Sequence, residues 1–112
     1  MELKIRKVND VHIVDINGEI DLYNHLKLKN LVKETLESGA KKVLMNFENV
    51  TYIDSSGIGS LIYIYNLHKE KKSKFLLCNI HGSVKRVIEL TKLNGFLPIE
   101  DNLQNALKRI LN

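Results

Sequence analysis

Short apolar runs alternate along this chain with longer stretches whose apolar residues recur at helical spacing, and this alternation constrains the fold more than any other feature. Val43-Leu44-Met45-Asn46-Phe47 is too short and too apolar for a surface helix, so it reads as a buried central strand. Phe75 to Asn79 reads as another. Ahead of them, Leu3, Ile5 and Val8, then Val11, Ile13, Val14 and Ile16, form two alternating runs on either side of Asn9-Asp10, a strong turn dipeptide. That arrangement predicts an opening β-hairpin.

Helical spacing follows Gly18-Glu19-Ile20-Asp21 through Leu22, Leu26, Leu28, Leu31, Val32 and Leu36, with Asp21 as the natural N-cap and Ser38-Gly39 as the stop. A second helix runs from about Ser56 to His68. Its segment Leu61-Ile62-Tyr63-Ile64-Tyr65 is apolar on nearly every side, so it is either heavily buried or partly covered by a partner. Ser83 to Leu93 is a third helix, ending at Asn94-Gly95. Phe96-Leu97-Pro98-Ile99 is strand-like, and Pro98 assigns it to an edge. Glu100-Asp101-Asn102 then caps a last helix carrying Leu103, Ala106, Leu107, Ile110 and Leu111.

The order β-β-α-β-α-β-α-β-α predicts an α/β fold. It has a mixed, mostly parallel sheet of about five strands with about four helices, the hairpin strand being the antiparallel exception. With 112 residues, 44% of them hydrophobic, residues 1–112 make one domain with one ordinary core. Sites in such sheets gather where strand C-termini meet helix N-termini. Both Gly18 to Asp21 and Asp54 to Gly59 fall at that edge, so the two acidic turns are candidate neighbours.

Lys and Arg outnumber Asp and Glu by 17 to 13, a formal charge of +4, but the basic residues are spread along the chain. The densest cluster, Lys69-Glu70-Lys71-Lys72-Ser73-Lys74, has no interleaved aromatic residues for base stacking and reads as a solvated helix end and loop. No nucleic-acid partner is expected. Cys78 alone can form neither an internal disulfide nor a cysteine-based metal site, and its run Phe75-Leu76-Leu77-Cys78 reads as plain core. The N-terminus lacks the apolar segment of a signal peptide, and no run of about 18 apolar residues could span a bilayer. The expectation is a cytoplasmic protein with no membrane partner, no metal and no cofactor.

The chemistry concentrates in Tyr52-Ile53-Asp54-Ser55-Ser56-Gly57-Ile58-Gly59-Ser60. A nucleophile elbow needs Gly-x-Ser-x-Gly, but Ile53 and Asp54 stand two residues before Ser55 and Ser56. His12, His25, His68 and His81 are not at strand ends expected to face the serines, and read as surface or satisfied structural residues. A phosphate-binding loop would need a lysine after Gly59, where Ser60 stands, and a receiver domain would need an aspartate where Asn46 and Phe47 lie. What survives is a hydroxyl at a helix N-terminus, where free backbone N–H groups and the helix dipole accept added negative charge. The residues alone leave two readings open: a cap and nothing more, or a cap that also carries a modifiable hydroxyl. Three cap candidates followed by two helix-unfavourable glycines favour a backbone kept accessible to another protein.

In these residues the chain resembles the STAS domain, particularly the free-standing bacterial anti-sigma factor antagonists. The resemblance spans nearly the whole chain. It is carried by Gly18-Glu19-Ile20-Asp21, Val43-Leu44-Met45-Asn46-Phe47, the hallmark Asp54-Ser55-Ser56-Gly57-Ile58-Gly59, and Leu93-Asn94-Gly95-Phe96 before Pro98-Ile99.

The resemblance implies that Ser55 is phosphorylated by an anti-sigma factor serine kinase with a histidine-kinase-like ATPase fold, Ser56 being a supporting cap. It also implies that the unphosphorylated form binds that kinase and releases its sigma factor or other client, and that a PP2C-type phosphatase resets the cycle. On this reading the domain is not an enzyme; it supplies a substrate hydroxyl. Asp21, Tyr23 and Asn24 would engage the kinase together with Asp54, Ser56 and Gly57, and Ile58 would be an exposed apolar contact, the alternative for it being the first buried residue of the helix. The protein would be a monomer or weak dimer. The alternative is a non-cycling structural or ligand-sensing STAS module of a larger signalling assembly.

Overall fold

The computed structural model describes residues 1–112. The elements are β1 (Glu2–Val8), β2 (Val11–Ile20), α1 (His25–Glu37), β3 (Lys42–Ile53), α2 (Ser55–Glu70), β4 (Lys74–Cys78), α3 (Gly82–Leu90), a 3₁₀ turn (Leu93–Gly95), β5 (Ile99–Glu100) and α4 (Leu103–Leu111). The five strands lie in chain order in one sheet. β1 pairs antiparallel with β2, and β2 to β5 run parallel. Right-handed crossovers between strands in this order place α1, α2 and α3 on one face, leaving α4 for the other.

Strand alternation divides the apolar residues accordingly. Val14 and Ile16 of β2, Met45 and Phe47 of β3 and Leu77 of β4 join the larger cluster with Leu28, Val32, Leu61, Ile64 and Val84. Val11, Ile13, Leu44, Leu76 and Cys78 join Ala106 and Ile110 of α4 in the smaller one. Cys78 is fully buried, and desolvation pushes its thiol up to about 11. It should resist alkylation in the native protein at pH 8 and react at the ordinary cysteine rate once urea unfolds the chain. Native-state labelling as fast as unfolded-state labelling would contradict this placement.

Asn46, 7% exposed, is the one amide in the apolar run of β3. Its Nδ2 donates to Asp15 Oδ1 at 2.9 Å, and its Oδ1 accepts from the Glu48 amide at 3.1 Å and Asn79 Nδ2 at 2.9 Å. Arg6 Nε completes the network with a 2.7 Å ion pair to Asp15. Burial raises the Asp15 pKa, but the hydrogen bonds from Arg6 and Asn46 outweigh it and leave the carboxyl below its ordinary range. The register of β2 on β3 shifts between Asp15 and Asn17, beside this network. β3 continues beyond Phe47, where the strand read from the sequence ended, as far as Ile53. Its outer part, Glu48 to Ile53, pairs with β2 alone and buries Val50 and Ile53 while exposing Tyr52, so its pattern reads as polar.

α2 resolves its own ambiguity: it is heavily buried. Gly57, Ile58, Ser60, Leu61, Ile64 and Leu67 face the core. Its flanks are covered as well, with Lys29 Nζ of α1 lying 3.9 Å over the Tyr63 ring and Phe96 packing 4.6 Å from Tyr65. Phe96 therefore belongs to helix packing rather than to a strand. The sheet contact begins with the Pro98 carbonyl, which accepts from Leu77 N at 2.9 Å and requires no N–H from proline. β5 is correspondingly two residues long and lies at the edge. α3 ends at Leu90 rather than Leu93, because Lys92 takes a left-handed conformation (φ 61°) that starts the 3₁₀ turn. Asn102 caps α4 as expected, its side chain accepting from Asn105 N at 2.8 Å.

Candidate functional site

The two acidic turns meet at the C-terminal edge of β2 and β3. Ile20 and Ile53 end these strands as register partners, and the Asp54 amide donates to the Ile20 carbonyl at 3.1 Å. Asp54 is the N-cap of α2. Its Oδ1 accepts from Ser56 N at 2.9 Å and Gly57 N at 3.1 Å, while Oδ2 accepts from Leu22 N at 3.0 Å. One carboxylate thus caps the helix and straps the β2–α1 turn to it, a charge-assisted arrangement at the positive end of a 16-residue helix.

This cap revises the electrostatic expectation. The N–H groups of Ser56 and Gly57 are taken by Asp54, so an added phosphate would lie outside the cap, beside the carboxylate, and not in an empty cradle of amides. The serines separate clearly. Ser55, the first residue of α2, is exposed; Ser56 is half-buried; Ser60 is 3% exposed, with its Oγ 2.9 Å from His25 Nδ1.

Asp21 is not the N-cap of α1, which begins four residues later with Asn24 ahead of it. Instead Asp21 Oδ1 accepts from Tyr23 N at 2.9 Å, and Asn24 Oδ1 accepts from Asp21 N at 2.9 Å. Asn24 Nδ2 also donates to the Glu19 carbonyl at 2.8 Å. The Asn24 side chain is therefore spent holding the turn. Tyr23 stands 93% exposed, flanked by Leu22 at 62% and Leu26 at 54%. The helical spacing had drawn Leu22 and Leu26 toward the core; the helix start, shifted past Asp21, turns them outward.

Of the two readings of Ile58 the structure selects the buried one, and Gly57 departs from the expected accessible surface. Ile58 is 8% exposed and packs in the larger core cluster, so it is the first buried residue of α2. Gly57 is buried, and a Cβ there would meet Ile53 Cγ1 at 2.6 Å and Ile20 Cγ2 at 2.8 Å. Its small size serves the helix–sheet contact. Gly59 is exposed, with nothing within 4 Å of its Cβ position, and leaves the outer face of the first turn flat beside Ser55. No three His, Cys, Asp or Glu side chains are placed to hold a metal ion, and no helix is long and apolar enough to cross a membrane.

The fold and site define a class: a small α/β domain that presents an exposed serine at a capped helix N-terminus. A model of the STAS domain matches residues 2–106. The chain belongs to the STAS domain family. It is 24% identical over 111 residues to the anti-sigma F factor antagonist of Paenibacillus polymyxa, covering 98% of this chain and 95% of that one. A crystal structure from Thermotoga maritima, described as that of a candidate anti-sigma factor antagonist, is 26% identical, with a TM-score of 0.91 over 98% of this chain and 95% of the other. The phosphorylated form of the Bacillus cell fate determinant SpoIIAA is 19% identical, with a TM-score of 0.75 over 97% and 99% of the chains. That last likeness is one of fold.

Proposed function

We propose that the chain is an anti-sigma factor antagonist, a regulatory binding protein rather than an enzyme, whose Ser55 is the phosphoacceptor. The observation that carries this reading is the exposure of Ser55 directly after a cap residue fixed by three hydrogen bonds, so that the hydroxyl is presented on a rigid helix end. The names borne by the relatives at similar coverage support the same reading. The unphosphorylated form binds a kinase-type anti-sigma factor and frees its sigma factor or other client. In the transfer, Ser55 Oγ bonds to the γ-phosphorus of ATP, the bond to the β,γ-bridging oxygen breaks, ADP leaves, and the hydroxyl proton passes to a base on the kinase. A phosphatase of the PP2C type reverses the state.

Phosphorylation adds about two negative charges next to Asp54. With Ser56 N and Gly57 N already capped, the phosphate gains few protein hydrogen bonds, stays hydrated, and has to lose that water if a partner covers it. Docking is opposed while the fold is spared. Asp21, Tyr23 and Asp54 frame the contact; Asn24, Ser56 and Gly57 support it from beneath.

The test is incubation with the histidine-kinase-like anti-sigma factor of the same organism and Mg-ATP, followed by mass-spectrometric mapping. Phosphate should be found on Ser55, Ser55→Ala should bind constitutively, and Ser55→Asp should bind weakly. Modification of Ser56 alone would remove the assignment. Equal affinity of Ser55→Ala and Ser55→Asp would replace it with the non-cycling module.

A further inference from the structure

β4 is paired with β3 along its length, but β5 joins it only from Leu77 onward, where Ile99 is the register partner. The first part of the strand therefore has an open edge. Main-chain groups alternate in direction along a parallel strand. Lys74 N donates to the Lys41 carbonyl on the β3 side and Leu77 N to the Pro98 carbonyl on the β5 side, so the Phe75 N–H faces the β5 side, where no strand carbonyl receives it.

A cavity of about 410 Å³ opens at that edge, between the last turns of α2 and α4. Tyr65, His68, Phe75, Pro98 and Ile110 give it apolar and aromatic walls, and Lys69, Lys74 and Arg109 stand around it. The walls are fixed in advance. Ser73 N and Oγ both donate to the His68 carbonyl, at 3.0 and 3.2 Å, and His68 Nδ1 donates to the Ser73 carbonyl at 3.0 Å. Burial lowers the His68 pKa, so its ring is a neutral wall at pH 7. Of the three cations only Arg109 has a carboxylate partner, Glu100 at 3.3 Å. Lys74 Nζ donates to the Asn112 main-chain oxygen at 2.8 Å, and Lys69 Nζ lies 4.7 Å over the Tyr65 ring. The rim keeps an excess of positive charge.

We propose that this cavity binds a small organic carboxylate with a flat aromatic body, the carboxylate meeting the Phe75 N–H and the two lysines and the ring lying among Tyr65, His68 and Phe75. Small-molecule sites share apolar walls, a few convergent polar groups and a volume of roughly 300–1,000 Å³. Two lysines without carboxylate partners and an unreceived N–H select an anion, because a charge-assisted hydrogen bond is about twice as strong as a neutral one. The open edge offers one N–H, too little for an added peptide strand, which draws its affinity from a row of main-chain bonds. Ser55 begins α2 and Lys69 lies in its last turn, about 21 Å further along at 1.5 Å per residue. The cavity is thus a separate site and stands whether or not Ser55 is a phosphoacceptor.

Naphthylacetate titrated into the isotope-labelled chain at neutral pH and followed by NMR tests this, with naphthylacetamide as the uncharged probe. The acid should bind with a Kd of about 1 mM or tighter, shift the amide signals of Tyr65, Phe75 and Leu76 most, and leave that of Ser55 in place. The acetamide should bind at least about fivefold more weakly. The double variant Lys69→Gln, Lys74→Gln should weaken the acid by about threefold or more and leave the acetamide unchanged. Arg86→Gln, at an exposed position on α3, should bind the acid as the wild type does. Binding that does not saturate, shifts centred away from β4, or equal affinity for acid and acetamide would overturn the proposal. A double variant that holds the acid as tightly as the wild type would do the same.

Discussion

Gly57→Ala should destabilise the protein by about 2 kcal/mol, and Gly59→Ala, two residues along the same helix, should stabilise it by about 0.5–1 kcal/mol. At Gly57 the new Cβ would lie 2.6 Å from Ile53 Cγ1, 2.8 Å from Ile20 Cγ2 and 3.1 Å from the Ile20 carbonyl oxygen. None of these atoms can withdraw cheaply. The two isoleucine carbons are attached directly to stiff, β-branched Cβ atoms, and the carbonyl accepts the Asp54 amide that fixes the strand end. Overpacking of this kind costs about 1–3 kcal/mol and exceeds the helix-propensity gain of up to about 1 kcal/mol from replacing glycine. Gly59 has open space and a helical backbone, so there only the propensity gain remains. Urea unfolding checks the pair: the midpoints should move in opposite directions. A neutral Gly57→Ala would mean that the helix and sheet are not in the close contact described.

Asp54→Ala should cost about 2–3 kcal/mol, adding loss of an N-cap, typically about 1 kcal/mol, to loss of a charge-assisted bond to a backbone amide. The lower half of that range is set by Leu22, whose exposure lets water replace part of the missing bond. Asp54→Asn should cost less, because one amide oxygen can still cap α2, but it cannot also hold Leu22 without giving up the cap. Hydrogen exchange separates the two roles. In Asp54→Ala the amides of Leu22, Ser56 and Gly57 should all lose protection, and in Asp54→Asn the loss should fall mainly on Leu22. Unchanged exchange at Leu22 in both variants would show that Asp54 does not restrain the β2–α1 turn.

Sequence pattern carried the element order because each buried strand and each amphipathic helix must hide a face of fixed period. Val43 to Phe47, Leu61 to Tyr65 and Phe75 to Cys78 could not be read otherwise in a chain of this size. Most of the departures share one origin. β3 beyond Phe47 and the start of α1 are set by bonds to distant segments, while the end of α3 is set locally by the left-handed turn at Lys92. Among those bonds are the pairing of Asn49 to Ile53 with β2 and the 32-residue link from Leu22 to Asp54. A local window contains none of these partners.

The motif around Ser55 divides in the same way. Asp54, Ser55 and Ser56 announce a helix start from chemistry alone, since short oxygen-bearing side chains are what free N–H groups select. Which oxygen would cap, which hydroxyl would remain outside and which glycine would be filled by its neighbours depended on how α2 lands against Ile20 and Ile53. The sequence by itself determined that a capped, hydroxyl-bearing helix end follows a buried strand. Only the tertiary structure decided that Gly57 and Ile58 face inward, that Ser55 faces out, and that Leu22 and Tyr23 stand beside it. Those outcomes depend on close packing and hydrogen bonds between segments more than thirty residues apart, which no local pattern encodes.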